Sequence, residues 1–291
     1  MEKIFDSVRA LDKRAEDAFN LKNGVLMEHA ARGMAERIHS FFSSHILHSQ
    51  HIRTSTGQEN AWKLPYPQIE LPQITSPLVQ IVCGSGDNGG DGFALARLLA
   101  DFCTVQVVSV KEPKSPLCKL QRERLELLGI PVAAELQERC DVLVDALFGT
   151  GIRGSLDNEM CAVIDRMNAV QGYKIACDIP SGLNEFGIPS PVAFRADETC
   201  TMGALKTALY ADAAKDYTGD IHVLNLGLPR RCYEGETDTF LLSAADMKLP
   251  HRAVQNTHKM SYGHGLFFCG EKTGACMLAA SAALHFGIGL V

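Results

Sequence analysis

Apolar positions along this chain keep first one period and then two in alternation. Between residues 6 and 42, Leu11, Ala15, Ala18 and Phe19, then Val25, Leu26, Ala30, Met34 and Ile38, recur near helical spacing. Residues 44–77 break the pattern, polar and His-rich at first and then Pro-rich, and read as a surface loop or small excursion. Its His45, His48 and His51 stand three apart, which allows a weak metal site, though a solvated segment is the better reading. From residue 79 onward, short apolar runs alternate with amphipathic ones. Val79–Val82, Thr104–Val110, Asp141–Phe148 and Tyr173–Ile179 predict strands, with shorter ones at Asp197–Met202 and Ile221–Leu226. Asp91–Asp101, Leu117–Leu128 and Asn158–Val170 predict helices between them. Alternation at these lengths predicts a mostly parallel sheet with helices on both faces.

In such sheets ligands sit beyond the carboxyl ends of the strands. Three loops therefore converge: Gly84–Gly92, Asp145–Gly154 and Asp178–Gly182, each combining glycine with carboxylates or hydroxyls. The first holds four glycines in the seven residues from Gly84 to Gly90 and leads into a helix. Glycine lets the backbone approach a phosphate, and a helix N-terminus offers free N–H groups. Asp87, Asn88 and Asp91 add oxygens suited to a cation, a ribose or catalysis. The loop contains G-x-G-x-x-G, but the ribose-binding acid of an NAD-dependent dehydrogenase has only Glu112 as a late candidate. The second loop brings Gly149, Thr150, Gly151 and Gly154, with Arg153 as a source of positive charge. Its plainer reading is a tight strand-to-helix turn. The third puts Asp178 at a strand end, placed as a general base or ribose ligand. Ser181 lies outside a G-x-S-x-G elbow, which argues against a hydrolase. Asn88, Asp145 and Ser181 could instead share a hard cation through oxygen.

Composition narrows this little. The 291 residues are 46% hydrophobic and 21% charged, as in ordinary globular proteins, and a formal charge of −6 leaves no footprint for nucleic acid. No apolar run reaches the length of a membrane span, and the N-terminus lacks a signal peptide's apolar core, so a cytoplasmic protein is expected. Ten cysteines lie scattered without a CxxC or zinc spacing, and reduced, structural thiols are expected, Cys83 and Cys177 in apolar runs among them.

GSGDNGGDG, DALFGTG and DIPSGLN, in this order, resemble the YjeF N-terminal domain family, the NAD(P)H-hydrate epimerases. The resemblance extends to RALDKRAEDAF and VLMEHAARGMAERI upstream and to TMGALK and HVLNLGLP downstream, over roughly residues 1–240 outside the excursion. It implies a Rossmann-like three-layer α/β/α sandwich that interconverts the R and S forms of C6-hydrated NADH or NADPH for a stereospecific dehydratase. By resemblance, Asp87, Asn88, Gly89, Gly90 and Asp91, together with Gly149, Thr150, Gly151, Ile152, Arg153, Gly154 and Ser155, contact the substrate. The same resemblance implies that Asp178 sits at the reactive end, where it is expected to act as the catalytic acid/base, and that Asn88, Asp145 and Ser181 hold a potassium ion (K+). Lys206, in TMGALK, is either a second polar group at the site or a structural lysine. Asp87 departs from the family, which usually has asparagine there, and sets an extra carboxylate against an anionic ligand.

The epimerase domain is expected over 1–245 and the beginning of a ribokinase-like, ADP/ATP-dependent dehydratase domain over 246–291, with a strand at Leu266–Cys269 and a helix at Gly274–Phe286. The later motifs of that domain are absent, so no dehydratase activity is expected of this polypeptide. The partners expected are the hydrate and, functionally, a dehydratase, with neither nucleic acid nor membrane; a homodimer is left open. The alternative from another class is a non-catalytic nucleotide- or protein-binding module of the same fold, favoured by Asp87 and disfavoured by the intact Asp178.

Overall fold

In a computed structural model, residues 1–54, 76–151, 154–248 and 254–291 are described, with side chains omitted for 45–54. They form two compact units, Lys3–Phe240 and a second made of Met1–Glu2 with Leu241–Val291.

The larger unit carries a seven-stranded sheet. Its strands are β2 (Leu78–Cys83), β3 (Thr104–Ser109), β4 (Val132–Ala133), β5 (Arg139–Ala146), β6 (Gln171–Cys177), β7 (Glu198–Met202) and β9 (Asp220–Leu224). They lie in the order β4-β3-β2-β5-β6-β7-β9, and every pairing is parallel. The first six follow the 3-2-1-4-5-6 order of dinucleotide-binding folds. The chain reverses its direction of travel across the sheet between β2 and β5, and a crevice opens there beyond their carboxyl ends.

Side chains on β5 alternate between two cores, as a period of two requires. Val142, Val144 and Ala146 face one that includes residues of α1 (Arg9–Phe19), α2 (Asn23–Thr54), α3 (Asp87–Leu99) and α4 (Pro116–Leu127). Leu143 faces the other, built on α5 (Asn158–Ala169) through Met160, Val163, Ile164 and Met167, and Cys140 joins it because the register shifts between Arg139 and Val142. Helices thus cover both faces, and the three layers agree with the fold expected from sequence.

Four boundaries differ from expectation. The helical stretch at 6–42 is two helices, broken at Asn20, whose φ of 52° ends α1. A strand, β1 (Glu2–Phe5), precedes them and pairs in parallel with β8 (Leu205–Lys206). The helix α2 runs on to Thr54, into the segment expected as an excursion, whose residues 55–75 lie outside the described ones, as do the side chains of His45, His48 and His51. Finally, α3 begins at Asp87 rather than Asp91, so most of the glycine-rich loop is helix. Close approach explains the glycines there: a Cβ on Gly89 would stand 2.0 Å from the Gly84 carbonyl oxygen, and one on Gly84 1.9 Å from that of Leu147.

In the smaller unit, α6 (Gly274–Phe286) agrees with the expected helix, but Leu266–Cys269 forms no strand. A strand needs a neighbour for its backbone groups, and among the described residues the bridge nearby joins His264, before this stretch, to Leu290. Cys269 and Cys276 form a disulfide across the turn into α6, Cα atoms 5.5 Å apart, against the expectation of reduced thiols. The other eight cysteines are free, with Cys83 and Cys177 buried as expected.

Candidate functional site

A cavity of about 690 Å³ opens at the reversal point, within the larger unit. Of the residues expected to bind substrate, Asp87, Asn88, Asp91, Gly149, Thr150, Gly151, Ser155 and Asp178 line it. Gly89 and Gly90 do not; they are buried in the packing of α3, which their missing side chains permit. Gly154 is exposed beside the cavity, in a left-handed conformation (φ 84°), and Ile152 and Arg153 lie outside the described residues.

The chemistry gathers around Asp178. It follows the last residue of β6 and holds a φ of 73°, a left-handed pose that costs a non-glycine residue roughly 1–3 kcal/mol and tends to occur where function requires it. Its N–H donates to the Cys200 carbonyl on β7 (2.9 Å). Its Oδ1 accepts from Lys206 Nζ (2.6 Å) and from the Met202 N–H (3.2 Å). Lys206 is fully buried and also donates to Thr201 Oγ1 (2.7 Å) and the Met202 carbonyl (3.2 Å), which uses all three ammonium hydrogens. The pairing of β8 with β1 aims this lysine. It is therefore both structural and part of the site. Oδ2 of Asp178 is left on the side of Gly149, where an added Cβ would stand 3.0 Å from it. A side chain at 149 would crowd that oxygen.

Four further carboxylates line the cavity, Asp12, Asp87, Asp91 and Asp157. Asp12, on α1, accepts from the hydroxyl of buried Tyr233 (2.6 Å), and burial raises Asp12 above its ordinary range despite that bond. Tyr233 in turn lies over Gly203, where a Cβ would stand 2.4 Å from its ring. Burial, then the charges of Asp178, Asp87 and Asp12, push Asp91 well above the usual carboxylate range. Asp87 is exposed at the first residue of α3, where a carboxylate complements the helix dipole and can turn to solvent. Its conflict with an anionic ligand is correspondingly small.

Asn88, Asp145 and Ser181 surround the Leu147–Gly149 turn. Asp145 is fully buried, accepts from the Ser181 N–H and hydroxyl (both 2.7 Å) and from the Leu147 N–H (3.1 Å), and is raised by burial to about 6. Ser181 Oγ accepts from the Phe148 N–H (3.0 Å). Asn88 stands against Gly149, and its buried amide nitrogen has no hydrogen-bond partner. A half-turn of the amide would put its oxygen in that place, and a buried polar group without a partner invites an ion or water. Amide, carboxylate and hydroxyl oxygens together suit a hard monovalent or divalent cation. Among the described residues, no group of three or more His, Cys, Asp or Glu side chains is disposed to hold a metal.

Sequence reasoning missed Arg9, Asp12 and Lys111 as lining residues. Asp12 lies 221 residues from its partner Tyr233, and no local pattern marks such a pair. Lys111 had a signal, because it follows β3 at the place where dinucleotide folds read the ribose, and only an acid was sought there.

Comparison with known proteins agrees with this architecture. The bifunctional NAD(P)H-hydrate repair enzyme Nnr of Helicobacter pylori is 38% identical over all of this chain and 57% of its own length. The NAD(P)H-hydrate epimerase of Rhodopirellula baltica is 29% identical, over 76% of this chain and 82% of its own. The chain spans about half the length of the bifunctional relatives it matches, 57%, 53% and 46% in three of them. The crystal structure of yeast ynu0, YNL200c, shares the fold with a TM-score of 0.61 at 18% identity, over 82% of this chain and 96% of that one. The model of the YjeF-related protein N-terminus family matches residues 23–208, and the chain belongs to that family.

Proposed function

We propose that this chain is an NAD(P)H-hydrate epimerase, acting on the R and S forms of C6-hydrated NADH or NADPH. The observation that carries the reading is the Asp178 carboxylate. It is held on one oxygen by buried Lys206 and presents the other beside Gly149, at the wall of a dinucleotide-sized cavity. The names of the relatives supply the substrate class.

The hydrate carries a hydroxyl on C6, next to the ring nitrogen. Epimerisation breaks the C6–O bond as the nitrogen lone pair forms an iminium, and water returns to the opposite face. The departing hydroxyl takes up one proton and the returning water gives it back, so the reaction consumes nothing. Asp178, loaded with a proton from solvent, supplies it to the departing hydroxyl and recovers it from the returning water, work worth typically 10²–10⁴ in rate. Lys206 keeps the carboxyl group oriented through both halves of the cycle. The N-terminus of α3 and the Gly149–Gly151 backbone would face the diphosphate.

Asn88, Asp145 and Ser181 would hold a potassium ion beneath the Leu147–Gly149 turn. Bound there, the ion supplies a fixed positive charge that steadies the turn against Asp178. The partnerless amide of Asn88 supports that placement.

The test is to separate the two epimers chromatographically and follow their interconversion from pure R-hydrate, with and without the protein and with potassium replaced by a bulky organic cation. Equilibration faster than the spontaneous rate is expected. No acceleration with the hydrate still bound would favour the non-catalytic binding module.

A further inference from the structure

The cavity has two ends, and only one holds Asp178. Along the carboxyl edge of the sheet the order is β3, β2, β5, β6. Above these strands lie, in turn, Lys111, then Ser85–Asp87, then Gly149–Gly151, then Asp178, all lining one cavity. With the nicotinamide at Asp178 and the diphosphate over the two glycine turns, the adenosine half falls at the end of β3. In sheets of this strand order, the residue at that place decides between a ribose hydroxyl and a ribose phosphate: an acid takes the 2′-hydroxyl, and a cation accommodates a 2′-phosphate. Here the strand ends at Ser109, Val110 N–H donates back to the Cys83 carbonyl (3.0 Å), and the next residue is Lys111.

Lys111 is well placed to exchange partners. Its ammonium lies 3.6 Å from Asp157 and 3.7 Å from Glu159, beyond hydrogen-bond distance, and the two carboxylates are 60% and 70% exposed. Exposed pairs of that kind are worth at most about 1 kcal/mol. Asp157 is in any case engaged, because it caps α5 by accepting from the Met160 N–H (2.8 Å). A doubly charged phosphate entering the cavity would win this lysine from them. Lys111 lies on a loop with its side chain 38% exposed, outside the buried core, so the fold is expected to survive its replacement.

We infer that Lys111 is the specificity-determining contact for a 2′-phosphate, so that the adenosine end of this cavity favours the NADPH hydrate over the NADH hydrate. The inference rests on the epimerase reading for its substrate and on the strand order for its location.

The experiment measures kcat/KM for both hydrates in the wild type and in Lys111→Gln. A charge-assisted hydrogen bond to phosphate corresponds to roughly tenfold or more. The expected result is a fall of about tenfold or more in the NADPH-hydrate to NADH-hydrate ratio of kcat/KM, recovered by Lys111→Arg. An unchanged ratio overturns the inference. In parallel, calorimetry compares adenosine 2′,5′-bisphosphate with AMP on the same proteins. The wild type should prefer the bisphosphate and Lys111→Gln should lose the preference; equal binding of both by the wild type overturns the inference. Turnover of neither hydrate would sink the epimerase reading, while the calorimetric arm would still decide the role of Lys111.

Discussion

Replacing Lys206 with methionine removes the cation beneath Asp178 while keeping most of its volume. Lys206 Nζ stands 2.6 Å from Asp178 Oδ1 with side chains only 1% and 11% exposed. At an effective dielectric of about 20, that separation corresponds to an attraction of roughly 6 kcal/mol. Desolvation of both charges offsets much of it, but a one-sided deletion leaves the carboxylate buried and unpaired, at a cost of about 3–5 kcal/mol. Thr201 Oγ1 and the Met202 carbonyl lose a donor as well. A loss of about 3–5 kcal/mol is therefore expected for Lys206→Met against wild type, as read by urea denaturation with circular dichroism at pH 7. Lys206→Met combined with Asp178→Asn should recover part of the loss, a coupling expected for groups in contact. A deficit under about 1 kcal/mol would refute the buried pair.

Two further outcomes follow from the packing and the charges. Gly89→Ala places a Cβ 2.0 Å from the Gly84 carbonyl oxygen, so despite the better helix propensity of alanine it should cost about 2 kcal/mol or abolish folding, whereas Gly86→Ala, with open space around it, should be near neutral in the same urea titration. Burial alone would raise Glu198, but the Arg37 hydrogen bonds (2.7 and 3.0 Å) and charge outweigh it and hold the carboxyl below its ordinary 4.5, so Glu198→Gln should lose about 1–2 kcal/mol at pH 7, and the gap should close as pH falls below 4.5 and through the lowered value.

The sheet was legible because buried strands and amphipathic helices alternate at lengths that leave few other folds, and the three loops could be placed on one edge before any coordinate. What stayed hidden had no local pattern. The two-residue strand β8 and the four-residue β1 carry no period, yet their pairing aims Lys206 at Asp178. The start of α3 was obscured because Gly89 and Gly90 look like a loop, while their real constraint is contact with Gly84, Met27 and Cys118. Asp12 and Tyr233 meet only through the tertiary fold. In the smaller unit, Leu266–Cys269 has the composition of a strand but, among the described residues, no partner to make it one, and α6 buries none of its residues. Leu266, Phe268, Met277 and Leu278 remain exposed there.

The central claim is that Asp178, in this cavity, epimerises the hydrate. The most direct measurement supplies pure R-hydrate to an excess of S-specific dehydratase and compares wild type with Asp178→Asn, whose amide keeps the shape of the carboxyl group. The account predicts that wild type accelerates conversion beyond the spontaneous rate and that Asp178→Asn, still folded and still binding the hydrate, loses about 100-fold or more. Full activity in Asp178→Asn would contradict it.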